Sequence, residues 1–586
     1  MENKKDVIIE YNVPARMRDG AVLMADVYRP HAEGKFPVLV QRTPYSKAFV
    51  PFVFQTMDPI KAARAGYVVI VQDVRGRWES EGKDFYPYRA DAEDGYDTVE
   101  WAASLPCSNG SVGLFGYSYY AATQWLTAST KPPHLKAFFP FSAGMEDFYC
   151  YRGGALELSL AVGWILLFQG PNGILKSKAG SPEMFTEMLS LLNSIDRIED
   201  VFRTLPLRDI PAMKLGNGFA PNFYDTLDWG PGAKPYQDRS LVDKHDRIEV
   251  PSLIFAGWYD IMLDTDLTHF QCMRAEAGSK EAREKTRLVV GPWTHLILID
   301  SVGQLNFGLS ASALMLERKT DLMSVHMQWF DNWLKGVQNN INDEPPVKLF
   351  VMGDNVWRGE NEWPLARTKY TPLYLHSSGK ANSLYGDGRL SFDAPGPEPA
   401  DHFVYDPYEP VPTLGGNHIL PPYYLRGPAD QRIIEERLDV LVYTSDVIGD
   451  EIEVTGPVVV KLYAASSATD TDFTAKLVDV YPDGRAFNVV DGIIRARYRK
   501  GRKSEPSLIE PNAIIEYEID LWATSIVFKK GHKIRLEISS SNFPRWDRNP
   551  NTGEIAHEAK KLTTAFQSVY HSAESATHVL LPVIPR

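Results

Sequence analysis

Cysteine is scarce in this chain: Cys107, Cys150 and Cys272 are the only three in 586 residues. So few, so scattered, they exclude a disulfide framework and a cysteine-rich zinc site, and they read as ordinary thiols. Long apolar runs are missing as well. The longest, Leu158 to Phe168, is interrupted by Ser159 and Gly163 and falls well short of the ~20 residues that span a bilayer. The opening Met1-Glu2-Asn3-Lys4-Lys5-Asp6 and the Val7-Ile8-Ile9 that follows are too charged and too short for a secretory apolar segment. Basic clusters are also absent, and the net charge is −13. Nucleic acid and anionic membranes are therefore not expected partners. These absences together imply a cytoplasmic protein with no metal and no cofactor, and they leave a homodimer open.

What is present is ample material for cores, since 44% of residues are hydrophobic and 12% aromatic. The length exceeds a single core, and the pattern along the chain suggests three units. Compact apolar runs at Phe36 to Val40, Tyr67 to Gln72, Val112 to Phe115 and Leu135 to Phe141 alternate with helix-like stretches such as Asp94 to Leu105 and Tyr119 to Thr130. That is an α/β pattern. It lapses after residue 145 into helical segments, including Ala155 to Phe168 and Pro182 to Leu192, and returns at Pro251. An insertion between strands, over their carboxyl ends, would cap a binding site. The expected divisions are residues 1–145 with 248–355 as an α/β core, 146–247 as a helical cap, and 356–586 as an all-β unit of short alternating strands.

Chemistry enters at Gly113-Leu114-Phe115-Gly116-Tyr117-Ser118-Tyr119-Tyr120-Ala121, an apolar strand that runs into a serine and then a helix. A serine hydroxyl needs a sharp turn that presents it to both a base and a carbonyl, and this stretch reads as such a nucleophile elbow. Two further strand ends carry the partners. Pro251 to Gly257 leads to Trp258-Tyr259-Asp260, and Arg287 to Gly291 leads to Pro292-Trp293-Thr294-His295. The chain order serine, acid, histidine is that of an α/β-hydrolase. His295 would take the proton from Ser118, with Asp260 fixing the tautomer. Asp264 and Asp266 compete with Asp260 as helix-start acids, whereas His245, His269 and His326 lack the loop position of His295.

The chain resembles the cocaine esterase family, which also holds α-amino-acid ester hydrolases, acylases and X-Pro dipeptidyl-peptidases. The pieces are Arg42-Thr43-Pro44-Tyr45, Asp73-Val74-Arg75-Gly76-Arg77, Gly116-Tyr117-Ser118-Tyr119, Gly257-Trp258-Tyr259-Asp260 and Gly291-Pro292-Trp293-Thr294-His295. Tyr405-Asp406-Pro407, Pro412 to Gly416, Gly427 to Gln431 and Phe543 to Pro550 extend the likeness over nearly the whole chain. Ala121 departs from it, standing where the family has glycine. The resemblance implies an α/β-hydrolase core, an inserted helical cap and a C-terminal jelly-roll β-sandwich. It also implies an oxyanion hole from the Tyr45 hydroxyl and the Tyr119 backbone N–H, which spacing alone does not give.

For the substrate, the resemblance points to Trp164 and Gln55 as pocket residues. The segment after Asp260 suggests Ile261 and Met262, and the loop from Leu414 to Asn417 is expected to face the site. The amino-ester hydrolases of the family hold the substrate's ammonium with an acidic pair where this chain has Met262 and Leu263. The expected substrate is accordingly a small ester with an apolar or aromatic acyl group. An amidase, acylase or aminopeptidase on the same triad stays open, as does a binder without catalysis. Asp73, Arg75 and Arg77 read as a structural ion-pair network.

Overall fold

A computed structural model describes residues 6–144, 150–231, 233–235, 240–241, 243–501 and 504–585. The opening five residues and the expected division between residues 145 and 146 lie outside the described residues.

Ten strands form the first sheet: β1 (Val7–Arg16), β2 (Val22–Pro30), β3 (Phe36–Thr43), β4 (Val68–Asp73), β5 (Ser108–Tyr117), β6 (Leu135–Phe141), β7 (Leu253–Tyr259), β8 (Arg287–Thr294), β9 (Val347–Val351) and β10 (Val356–Glu360). Their order across the sheet is β1-β2-β4-β3-β5-β6-β7-β8-β9-β10. From β4 to β9 every neighbouring pair is parallel, while β1, β2 and β10 are antiparallel edges. The apolar runs in the middle strands are continuous because both faces are covered. Val38, Val40, Val68, Ile70 and Leu114 enter one core, and the alternating Leu39, Val69, Val71 and Phe115 enter the other.

Helix α1 (Asp91–Ser104) packs against α2 (Tyr119–Ala128) on one face, so closely that a Cβ on Gly95 would collide with Thr127 Oγ1. The opposite face is covered by α3 (Leu322–Lys335) through Trp329, Phe330 and Leu334. Strand β10 pairs with β9 throughout, so the first sheet continues past residue 355, where the sequence suggested a division. The hairpin follows from Val347 to Val351 needing a partner on its outer side.

Helices dominate the insertion between β6 and β7. Its first part differs from the single helix expected over Ala155 to Phe168: Ala155–Leu156 pairs antiparallel with Tyr151–Arg152, and the helix runs from Ser159 to Gln169 with the wider i+5 hydrogen bonding of a π-helix. Gly170–Ser177, Glu183–Asp196 and Pro221–Trp229 complete the helical part. From Lys369 onward the chain is β-rich, with eleven strands among the described residues joined by hydrogen bonds around a core that includes Val460, Leu462, Leu477 and Leu536. This is the β-rich unit expected after the α/β core.

Candidate active site

The polar residues of interest stand at the carboxyl ends of adjacent parallel strands, where an α/β sheet opens its crevice. Ser118 follows β5 with φ +58° and ψ −123°, a backbone conformation that side chains with a Cβ rarely adopt. Gly116 makes the turn possible. It has φ +135°, and a Cβ there would lie 2.5 Å from the Cβ of Tyr120. The Ser118 N–H donates to Phe141 O at the end of β6, and its carbonyl accepts the first helical bonds from Ala121 and Ala122. Ala121 is fully buried against this turn.

His295 follows β8 and lies with Nε2 2.8 Å from Ser118 Oγ and Nδ1 2.9 Å from Asp260 Oδ1. Asp260, which follows β7, is fully buried. Its Oδ1 also accepts the Met262 N–H, and its Oδ2 accepts the Ser142 hydroxyl at 2.7 Å. Ser142, one residue beyond β6, escaped the sequence reading although its strand-end position was visible. The rivals lie elsewhere: Asp264 is paired with Arg152, and Asp266 accepts the Ala143 N–H while burial pushes its carboxyl well up. His245 and His269 bond to each other, and His326 to Leu322 O.

Tyr45 stands two residues beyond β3. Its hydroxyl accepts a hydrogen bond from Trp164 Nε1 at 2.9 Å, and burial pushes the phenol up to about 12 against the opposing hydrogen bonds of Trp164 and Ser118. The Tyr119 N–H is at the first helical position, ahead of the first intrahelical bonds. The Tyr119 side chain points away from that role, its hydroxyl donating to Asp91 at 2.7 Å and its ring stacking on Tyr88.

A cavity of about 250 Å³ opens over Ser118 and His295, with Tyr45, Gln55, Trp164 and Phe168 in its wall. Ile261 and Met262 are not in that wall. Both are buried at the helix start after Asp260, where the sulfur of Met262 presses on Gly144, so apolar burial turns them into the core. Leu414 also lies away from it, packed against Val411 and Ile434. The same β-unit segment reaches the site a few residues later: Asn417 Nδ2 donates to the carbonyls of Trp258 and Asp260, and Ile419, Leu420, Pro421, Pro422 and Arg426 line the cavity. Sequence reasoning missed Arg426, whose only local signal was its place before Gly427-Pro428.

The three charges expected as one ion-pair network are separate. Asp73 faces Lys47 at 3.6 Å, and Arg75 pairs with Asp19 and Asp94. Arg77 is buried and spends its guanidinium on carbonyls, those of Pro44 at 2.7 Å, Phe168 at 2.5 Å and Gln169 at 3.3 Å. It thereby ties the Tyr45 turn to the end of the π-helix. The cost is burial of a charge without a close carboxylate among the described residues, and burial lowers its pKa to about 10.

Comparison with known proteins follows the same outline. Residues 19–297 match the X-Pro dipeptidyl-peptidase (S15 family), and residues 339–580 match the X-Pro dipeptidyl-peptidase C-terminal non-catalytic domain. The chain is 40% identical to a cocaine esterase from Rhodococcus sp. (strain MB1 Bresler), over 98% of each chain. Among solved structures, an α-amino acid ester hydrolase superposes with a TM-score of 0.79 at 24% identity, covering 100% of this chain and 97% of the other. An aminopeptidase from a marine sediment Thaumarchaeota archaeon gives 0.79 at 23% identity, covering 99% and 97%. Both share the fold. No helix among the described residues is long and apolar enough to cross a membrane.

Proposed function

The chain belongs to the X-Pro dipeptidyl-peptidase (S15) family and is a serine ester hydrolase, and from that premise we propose that it cleaves esters of apolar or aromatic acids through an acyl-enzyme on Ser118. The reading rests on one observation, the unbroken hydrogen-bonded line from Asp260 through His295 to Ser118 Oγ. In the first half-reaction His295 takes the serine proton as Oγ adds to the carbonyl carbon. The imidazolium then gives that proton to the departing alcohol as the C–O bond breaks. Water repeats the sequence on the acyl-enzyme and releases the acid.

The oxygen that gains charge in each addition would meet the Tyr45 hydroxyl and the Tyr119 N–H. Tyr45, with its pKa pushed up to about 12, stays a donor at any physiological pH. Two fixed donors favour the transition state because they need no reorganisation when the charge develops. Trp164 serves twice in this reading, holding Tyr45 by its indole N–H and walling the acyl group. Gln55 is a further wall residue, the insertion over 146–247 is the cap, and the β-rich unit closes the cavity from the other side through Ile419 to Arg426.

Amide substrates with a free amino terminus fit less well. Among the described residues none that lines the cavity is acidic, so an ammonium would find no partner there. Matched ester and amide substrates decide between the two. Ser118→Ala is expected to abolish ester turnover and stoichiometric phosphonate labelling together; a variant that still turns over esters at the original rate refutes the acyl-enzyme.

A further inference from the structure

Arg426 is the one charged side chain among the described residues lining the cavity, and it is 8% exposed. Its Nη2 donates to Leu420 O, its Nε is buried without a partner, and among the described residues no carboxylate is paired with it. The neighbouring wall of Leu296, Ile419, Leu420 and Pro421 offers no charge in return. An unpaired guanidinium in such a place is costly unless something anionic arrives to meet it. A carboxylate suits it best, since the planar fork of donors can take both oxygens.

The position within the cavity assigns the half of the substrate that would carry the anion. Phe52, Trp164 and Phe168 gather around Tyr45, with ring centroids 5.1, 6.3 and 5.0 Å away, and make the apolar side. Arg426 belongs to the other side: it adjoins Gly427, where a Cβ would lie 3.3 Å from the methyl of Thr294, the residue before His295. His295 must deliver its proton to the leaving oxygen, so the alcohol half lies along that side. We propose that the preferred substrates are esters of hydroxy acids, with an apolar acyl half among the aromatic rings and a carboxylate on the leaving alcohol received by Arg426.

This rests on the Ser118 reading and adds no co-reactant. The Oγ–C bond forms, the C–O bond to the alcohol breaks, the serine proton leaves with the hydroxy acid, and water then cleaves the acyl-enzyme. The test uses three esters on the full chain: phenyl benzoate, 3-carboxyphenyl benzoate with the carboxylate on the alcohol, and the phenyl monoester of isophthalic acid with the carboxylate on the acyl half. Wild type is expected to favour 3-carboxyphenyl benzoate over phenyl benzoate about 10- to 100-fold in kcat/KM, and the isophthalate monoester not at all. Arg426→Met is expected to erase that ratio and Arg426→Lys to keep part of it. If Arg426→Met does not fold, the wild-type series and Arg426→Lys still decide. No gain from the alcohol carboxylate, a gain only on the acyl side, or a ratio that survives Arg426→Met overturns the proposal. Should wild type hydrolyse phenyl benzoate without preference, this inference alone falls; should it cleave none of the three and resist phosphonate labelling, the Ser118 reading falls with it.

Discussion

Replacing Tyr45 by phenylalanine removes a single hydroxyl from the cavity wall. In the resting structure that oxygen accepts the indole N–H of Trp164 at 2.9 Å, and burial holds the phenol up to about 12. Its proton is thus available throughout any ordinary assay range. If it meets the developing oxyanion, Tyr45→Phe forfeits one of two donors and lowers kcat about 10²–10³-fold, or about 2.7–4 kcal/mol of transition-state stabilisation. A second, separate cost follows. Trp164 Nε1 loses its acceptor, which removes about 1–3 kcal/mol of stability if the site stays dry. The two effects are read in different assays, kcat and KM on a neutral aryl ester for the first and thermal unfolding for the second. The pH dependence supplies a further check. The folded pKa exceeds the ordinary value of 10.0, so the native state holds this proton longer than the unfolded chain. The stabilising share is complete below pH 10 and is lost as pH climbs toward 12; Tyr45→Phe should not show that loss. A variant within a few-fold of wild type in kcat, or one in which only KM rises, refutes the donor assignment.

Arg77→Met is expected to lower Tm and kcat together, because about 1.5–3 kcal/mol is at stake for each charged hydrogen bond lost to Pro44, Phe168 and Gln169, and lysine should rescue little for want of the planar fork; an unchanged Tm argues against the staple. Glu157, fully buried beside Arg545 and Ser159, is pushed up from 4.5 to about 7 by burial, so between those values the native state binds the extra proton and stability falls as pH rises, by up to about 1.4 kcal/mol per pH unit. Glu157→Gln should flatten the slope of Tm against pH over that window, and parallel slopes for the two proteins would sink the assignment.

Strand ends make much of this site legible in the amino-acid sequence. Ser118, Asp260 and His295 each follow an apolar run that has to lie in the middle of a parallel sheet, and the fold gathers the ends of such runs at one crevice. Neighbourhood along the chain is a poorer guide. Ile261 and Met262 adjoin Asp260 in sequence, yet the chain turns into a helix there and apolar side chains take the buried face. Arg77 next to Asp73 and Arg75 suggests mutual pairing, but its partners are carbonyls up to 92 positions away. Tyr45 shows no local sign of its position beside Ser118, and only the family resemblance points to it. For Arg426 the one local sign is its place before Gly427-Pro428, because the wall it joins reaches back to segments more than a hundred residues earlier in the chain.

That distance bears on how the site is held. Residues 339–580 match a domain described as non-catalytic, yet Asn417 in that stretch ties down the Trp258 and Asp260 carbonyls, and the next few residues close the cavity. The inserted segment does the same for the other half, through Trp164 on Tyr45 and through the Phe168 and Gln169 carbonyls on Arg77. A hydrogen-bonded triad works only while its geometry is fixed to a fraction of an ångström, and a loop at a strand end is not rigid by itself. The α/β sheet brings Ser118, Asp260 and His295 to one place; the contacts from the two other segments keep Asp260 and Tyr45 from drifting. One of those segments also brings the Arg426 guanidinium into the cavity wall, so on the proposed reading the parts that hold the site are also the parts that set what it accepts.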